Sequence, residues 1–149
     1  MLTLLRTTAE HPDFLNLVRQ LDQDLAQRDG AEHAYYAQFN KVDQIRYAVV
    51  AYLGEVPVGC GAIKAFDADS MEVKRMYVPP VHRGKGIATQ VLQELEAWAK
   101  SLGMPYCVLE TGKRQPEAIA LYTRNGYEIT PNYGQYVGVE NSVCFRKVI

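Results

Sequence analysis

No run of apolar residues in this sequence approaches the roughly 20 that a bilayer-spanning helix requires. The N-terminus, MLTLLRTTAEHPDF, has neither an apolar signal core nor an Arg-rich, acid-free transit pattern. These absences point to a cytoplasmic protein with no membrane partner. An excess of one charge is missing too: 16 Lys and Arg stand against 17 Asp and Glu, so nothing draws the chain to nucleic acid in general. Any anion site must be local. Cysteine is scarce, and Cys60, Cys107 and Cys144 each lie in an apolar, strand-like stretch with no C-x-x-C pair and no neighbouring His. They read as buried free thiols, and no metal site is expected.

What is present is ordinary globular material. The 149 residues are 48% hydrophobic and 22% charged, a composition that suits one soluble domain over residues 1–149 with a single core. There is no internal repeat, linker or low-complexity segment.

Along the chain, Leu2 to Thr7 reads as a strand, and Phe14, Leu17, Val18, Leu21 and Leu25 follow helical spacing. Asp13 is the expected N-cap of that helix and Gly30 its stop. Residues Ala31 to Asn40 suit a short second helix. Ile45 to Tyr52 and Val58 to Phe66 read as a hairpin around Gly54 and Pro57. Glu72 to Val78 is a further strand, stopped by Pro79 and Pro80. The clearest helix runs from Ile87 to Leu102. Its apolar face holds Val91, Leu92, Leu95, Trp98 and Ala99, with Glu94, Glu96 and Lys100 directed away. Tyr106 to Glu110, Tyr127 to Thr130 and Ser142 to Val148 read as strands, and a helix from Pro116 stops at Asn125-Gly126.

Between the strand at Glu72 to Val78 and the best helix lies Val81 to Ala88, VHRGKGIA. A turn entering a helix aims unpaired N–H groups and the positive end of the helix dipole at one point, which suits a phosphate or pyrophosphate. Gly84 and Gly86 let backbone approach a ligand closely, and His82, Arg83 and Lys85 add local positive charge. Spacing excludes a P-loop and a dinucleotide-binding fingerprint, so the phosphates belong to another kind of ligand.

Arg83, Gly86 and Ala88 as R-x-x-G-x-A after a strand and two prolines, followed by a long amphipathic helix, resemble the acetyl-CoA-binding motif of the GNAT superfamily. The later segment from Ala118 through Leu121 and Tyr122 to Gly126 and Tyr127 resembles that family's second motif. The resemblance is close over residues 45 to 130. It implies an α/β (α+β) fold, with a twisted, mostly antiparallel mixed sheet of six or seven strands and about four flanking helices. It also implies an acyltransferase that moves acetyl from acetyl-CoA to the primary amine of a small-molecule acceptor, with a homodimer compatible. A protein N-terminal or lysine acetyltransferase and a non-catalytic acyl-CoA-binding module are the alternatives.

On that resemblance the turn residues Val81, His82, Arg83, Gly84, Lys85, Gly86, Ile87 and Ala88 would hold the pyrophosphate. Backbone at Met76, Tyr77 and Val78 would bond the pantetheine arm where two strands splay, and the Val78 amide would face the thioester oxygen. Gln115 stands where many relatives carry Asn, on the longer stem. Tyr122 matches the usual general acid. Free-group pKa values of about 10 and about 8.5 place full proton transfer to the thiolate roughly 2 kcal/mol uphill, so Tyr122 would donate either a proton or only a hydrogen bond. The acceptor amine must lose a proton before it attacks, which calls for a base. Glu72 is the first candidate, on the same strand face as Val78 and Lys74 by strand periodicity, and a Glu paired with Lys74 is its non-catalytic reading. Glu110 is the second candidate. Acceptor contacts are expected from His33, Tyr35, Tyr36 and Asn40, and from Tyr133, Tyr136 and Asn141.

Overall fold

A computed structural model describes residues 1–29 and 45–149. The strands are β1 (Leu2–Thr7), β2 (Tyr47–Leu53), β3 (Val56–Ala65), β4 (Ser70–Tyr77), β5 (Tyr106–Gly112), β6 (Glu128–Thr130) and β7 (Ser142–Val148). The helices among the described residues are α1 (Pro12–Asp29), α2 (Ile87–Ser101) and α3 (Pro116–Arg124), with short 3-10 turns at Pro80–His82 and Gly134–Tyr136. About four helices are expected from sequence; the one placed on Ala31 to Asn40 lies outside the described residues. None of the described helices is long and apolar enough to cross a membrane.

All seven strands form one sheet in the order β1-β2-β3-β4-β5-β7-β6. Every neighbouring pair is antiparallel except β4 with β5. The mixed, mostly antiparallel sheet expected from the sequence is therefore present. Gly54, at φ 62°, makes the tight turn between β2 and β3, while Pro57 sits inside β3 rather than in the turn. It falls beside a register shift opposite Ala51 and Tyr52, a position where its missing N–H is tolerated.

Strand alternation supplies two apolar faces. Val49, Ala51, Ile63, Val73 and Phe145 pack with Val91, Leu92 and Leu95 of α2. Ala48, Val50, Cys60, Ala62 and Tyr77 face Phe14, Leu17, Val18 and Leu21 of α1. The sheet is thus covered on both sides over its centre. Helix α1 starts one residue before the expected cap: His11 Nδ1 accepts the Asp13 amide at 3.1 Å. Asp13 instead accepts the Tyr52 hydroxyl at 2.6 Å and so ties helix to sheet. Glu96, expected to face outward, is buried and takes Lys147 Nζ at 2.9 Å, a pairing that offsets much of its desolvation.

The pairing of β3 with β4 carries the irregularity on which the site depends. Ala62 lies opposite Lys74 and Cys60 opposite Tyr77, so β4 spends three steps where β3 spends two. One residue is extra, Arg75 adopts φ 60°, and the strand bulges opposite Gly61. A Cβ on Gly61 would collide with Met76 Sδ and lie 2.9 Å from Leu95 Cδ1. Gly61→Val is expected to lower unfolding stability by about 2 kcal/mol through overpacking, read from urea melts.

The three thiols are free and fully buried. Burial pushes Cys60 and Cys107 from 9.0 up to about 12 and Cys144 up to about 11. An unfolded thiol ionises first, so the folded state's advantage is complete below pH 9 and is lost as pH climbs towards 11 and 12. Between those limits each of Cys60 and Cys107 should cost about 1.4 kcal/mol of stability per pH unit. Cys→Ser or Cys→Ala variants with a flatter alkaline limb in pH-dependent denaturation would bear this out.

Candidate active site

β4 and β5 pair in parallel only through Ser70, Met71 and Glu72 with Tyr106, Cys107 and Val108. Beyond Glu72 they separate, leaving the rest of β4 and Leu109 to Gly112 of β5 without each other's hydrogen bonds. The bulge at Arg75 turns β4 away from its neighbour, and Pro79 and Pro80 follow, neither able to donate to a ladder. Helix α1 covers the split from one face, and α3 flanks it. Arg28 of α1 forms an ion pair with Glu117 in the first turn of α3, joining the two helices.

Two cavities open along this split. The larger, about 250 Å³, runs to the N-terminus of α2. That helix begins at Gly86, at φ 77°, without a side-chain cap, so the amides of its first turn keep no intrahelical partner. Gly84, at φ 79°, also takes the left-handed conformation, which only glycine adopts without strain. A Cβ at either position would meet nothing within 4 Å; backbone geometry requires these glycines, and space in front of them is open. His82 Nδ1 is buried without a hydrogen-bond partner among the described residues, and its residue lines this groove. An orphaned ring nitrogen beside uncapped amides fits a polar, anionic ligand.

The groove gathers ten of the twelve residues expected to hold the cofactor. Met76, Tyr77 and Val78 come from the end of β4, and His82, Arg83, Gly84, Gly86, Ile87 and Ala88 from the turn, with Gln115 opposite. Val81, 79% exposed, and Lys85 do not line it. Arg83 bends back: its Nε donates to the Val78 carbonyl at 2.8 Å and its guanidinium stands over the Tyr77 ring. The side chain thereby braces the turn against β4.

The smaller cavity, about 110 Å³, is walled by Glu72, Lys74, Arg75, Glu110, Thr111 and Tyr136, with Leu21 and Leu25 of α1. Met76, Gln115, Ala118 and Tyr122 line both spaces. Tyr122 therefore stands at the junction, its ring wedged against Tyr127 and Phe145. Burial, with the Glu110 charge adding to it, raises its phenol well above the usual tyrosine range.

Glu72 is buried, and both carboxylate oxygens are engaged. Oε2 accepts the Tyr133 hydroxyl at 2.8 Å, and Oε1 lies 3.9 Å from Lys74 Nζ. Burial lowers the Lys74 pKa, partly countered by Glu72. Glu110 accepts Ser142 Oγ at 2.7 Å. Tyr136 is in the wall as expected, whereas Tyr133 acts one step back by holding Glu72. Asn141 lines neither space, and His33, Tyr35, Tyr36 and Asn40 lie outside the described residues. The loop that carries Tyr133 is fixed by Asn132, whose amide nitrogen donates to the carbonyls of Tyr136, Val139 and Ser142.

One expectation is overturned by the bulge. Because β4 has an extra residue, Glu72 and Lys74 share a face with Tyr77, while Val78 joins the opposite core beside Val73. Glu72 and Val78 do not lie on one face. Val78 lines only the larger groove, and Met76 is the β4 residue common to both spaces.

The acetyltransferase (GNAT) family model matches residues 13–127. The chain belongs to this family. Among curated relatives, the IAA acetyltransferase of Azospirillum brasilense is 36% identical over 138 residues, covering 90% of this chain and 89% of that protein. A Klebsiella pneumoniae protein described as an acyl-CoA N-acyltransferase superposes with a TM-score of 0.83 at 31% identity, over 99% of this chain and 97% of its own. A PaiA N-acetyltransferase from Thermoplasma acidophilum, solved with coenzyme A, shares the GNAT fold at TM-score 0.74 and 16% identity, over 100% and 99% of the two chains. This GNAT chain is thus an acyltransferase-type enzyme.

Proposed function

We propose that this enzyme transfers acetyl from acetyl-CoA to the primary amine of a small acceptor by direct attack. The observation that carries the reading is Tyr122 at the junction of two cavities, one leading to a helix N-terminus and the other walled by carboxylates. The pyrophosphate would rest on the amides of Gly86 to Thr89, and the pantetheine arm would run along Met76 to Val78 with Gln115 opposite. The thioester would then lie beside Met76 and Tyr122. The relative from Azospirillum is named for the acceptor IAA, which favours a small acceptor over a protein one.

The acceptor nitrogen forms its bond to the thioester carbon and the C–S bond breaks; the nitrogen gives up its second proton as the departing thiolate takes one up, and the products are an N-acetyl amine and free CoA thiol. The ammonium proton leaves first, to Glu72 directly or through water. Its hydrogen bond from Tyr133 keeps that carboxylate in one orientation. Tyr122 is a weaker acid here than free tyrosine, so transfer of its proton to a thiolate is still less favourable than the roughly 2 kcal/mol of the free groups. Its part is a hydrogen bond to the sulfur as charge gathers there. The buried thiols, held protonated, are poor nucleophiles, which argues against a covalent acyl-cysteine route.

Titration calorimetry with acetyl-CoA tests the donor side, with micromolar affinity expected; absence of heat at millimolar ligand would sink the reading. A screen of amines monitored by thiol release tests the acceptor side.

A further inference from the structure

The acceptor cavity is more specific in charge than an amine alone requires. Two cations stand in its wall, Lys74 at 8% exposure and Arg75 at 5%. Burial depresses the Lys74 pKa, and the Arg75 charge adds to that. Arg75 reaches Asp22 of α1 through Nη2, but its Nε–H is buried and has no acceptor among the described residues. An unmatched guanidinium N–H in low dielectric is costly. Arg75 is also among the residues that line the space where the acceptor would bind.

An amine acceptor arrives as a cation, and although Lys74 lies near Glu72 and Arg75 pairs with Asp22, only an acceptor that also carries an anion gains from the two cations. Glu72 and Glu110, in the same wall, match the ammonium end. A polyamine would meet two buried cations and gain nothing from them. Resting on the acetyl-transfer reading above, we infer that the acceptor is a small amino carboxylate. Its carboxylate is received by the Arg75 guanidinium with Lys74 nearby, and its amine is directed to Glu72, Glu110 and the Tyr122 junction. Arginine suits this role because its planar fork binds carboxylate oxygens directionally. The bulge sets that fork in place: without the extra residue in β4, Arg75 would fall on the face that packs against α2, away from Asp22.

The test compares α-amino acids with their decarboxylated amines and primary amides, for example phenylalanine, phenethylamine and phenylalaninamide, and the same triads for methionine, threonine and glutamate. Thiol release should give a kcat/KM at least tenfold higher for the acid than for its amine in the best triad. Arg75→Gln should bring that ratio close to one with acetyl-CoA affinity intact; that affinity and the thermal midpoint report whether the variant has folded. Arg75→Lys, which keeps the charge, should retain part of the preference. A wild-type enzyme whose kcat/KM for the acid is less than tenfold above that for its carboxylate-free counterparts in every triad it acetylates overturns the inference while leaving acetyl transfer standing. If CoA binds but no amine is acetylated, acetyl transfer itself fails, and product binding decides the inference separately. In calorimetry with CoA present, N-acetylated amino acids should bind at least tenfold more tightly than the N-acetylated amines. Equal binding across those pairs overturns the carboxylate site.

Discussion

Replacing Tyr122 with Phe should lower kcat at least 100-fold while the Kd for acetyl-CoA stays within about twofold. The substitution removes one oxygen and leaves the ring against Tyr127 and Phe145, so packing is preserved. A group that acts only when charge reaches sulfur contributes to the transition state and not to the bound ground state, and such a loss falls on kcat. A factor of about 10² is the lower range for a positioned proton or hydrogen-bond donor. The raised phenol pKa adds that the wild-type rate should show no decline from Tyr122 ionisation at pH 9 or 10. A module that only senses acyl-CoA would show no functional change in this variant, so the measurement also separates enzyme from sensor.

Glu72→Gln is expected to lower kcat/KM at neutral pH about 1,000-fold, and Glu110→Gln by less than about tenfold, within the range for losing a general base as against a neighbour. The amide can still accept the Tyr133 hydroxyl, so the wall keeps its shape. Lys74 loses the charge that partly opposes its burial, and its pKa should fall further. A thermal melt should accompany the kinetics, because breaking a buried pair can destabilise the fold. The reverse ranking of the two variants would assign the base to Glu110 instead.

Much of this was legible in the sequence because the relevant signals are local. The helix at Ile87 is announced by its periodicity, the turn before it by Gly84 and Gly86, and the split by Pro79 and Pro80 after a strand. One failure has a local cause. Period-two alternation placed Glu72 with Val78, yet a single extra residue at Arg75 reverses the parity beyond it. Gly59 and Gly61 inside β3 were the available signal, since glycine within a strand often marks a bulge or a close approach of other groups. Tyr133 as the partner of Glu72, 61 residues away, and α1 as a wall of both cavities depend on how distant segments pack, which no local pattern encodes. Arg83 showed its charge in the sequence but not its bond to Val78, and Glu96 took a half-buried lysine that comes from β7.

An unpaired strand edge at the rim of a sheet invites a stray strand from another molecule, and proteins commonly blunt such rims with charge or bulges. Here two such edges lie in the middle of the sheet, facing each other across the split between β4 and β5. Helices α1 and α3, joined by Arg28 and Glu117, flank these edges, so the molecule keeps its stickiest backbone inside the sheet, away from the outer rim where a strand of another molecule would most easily add.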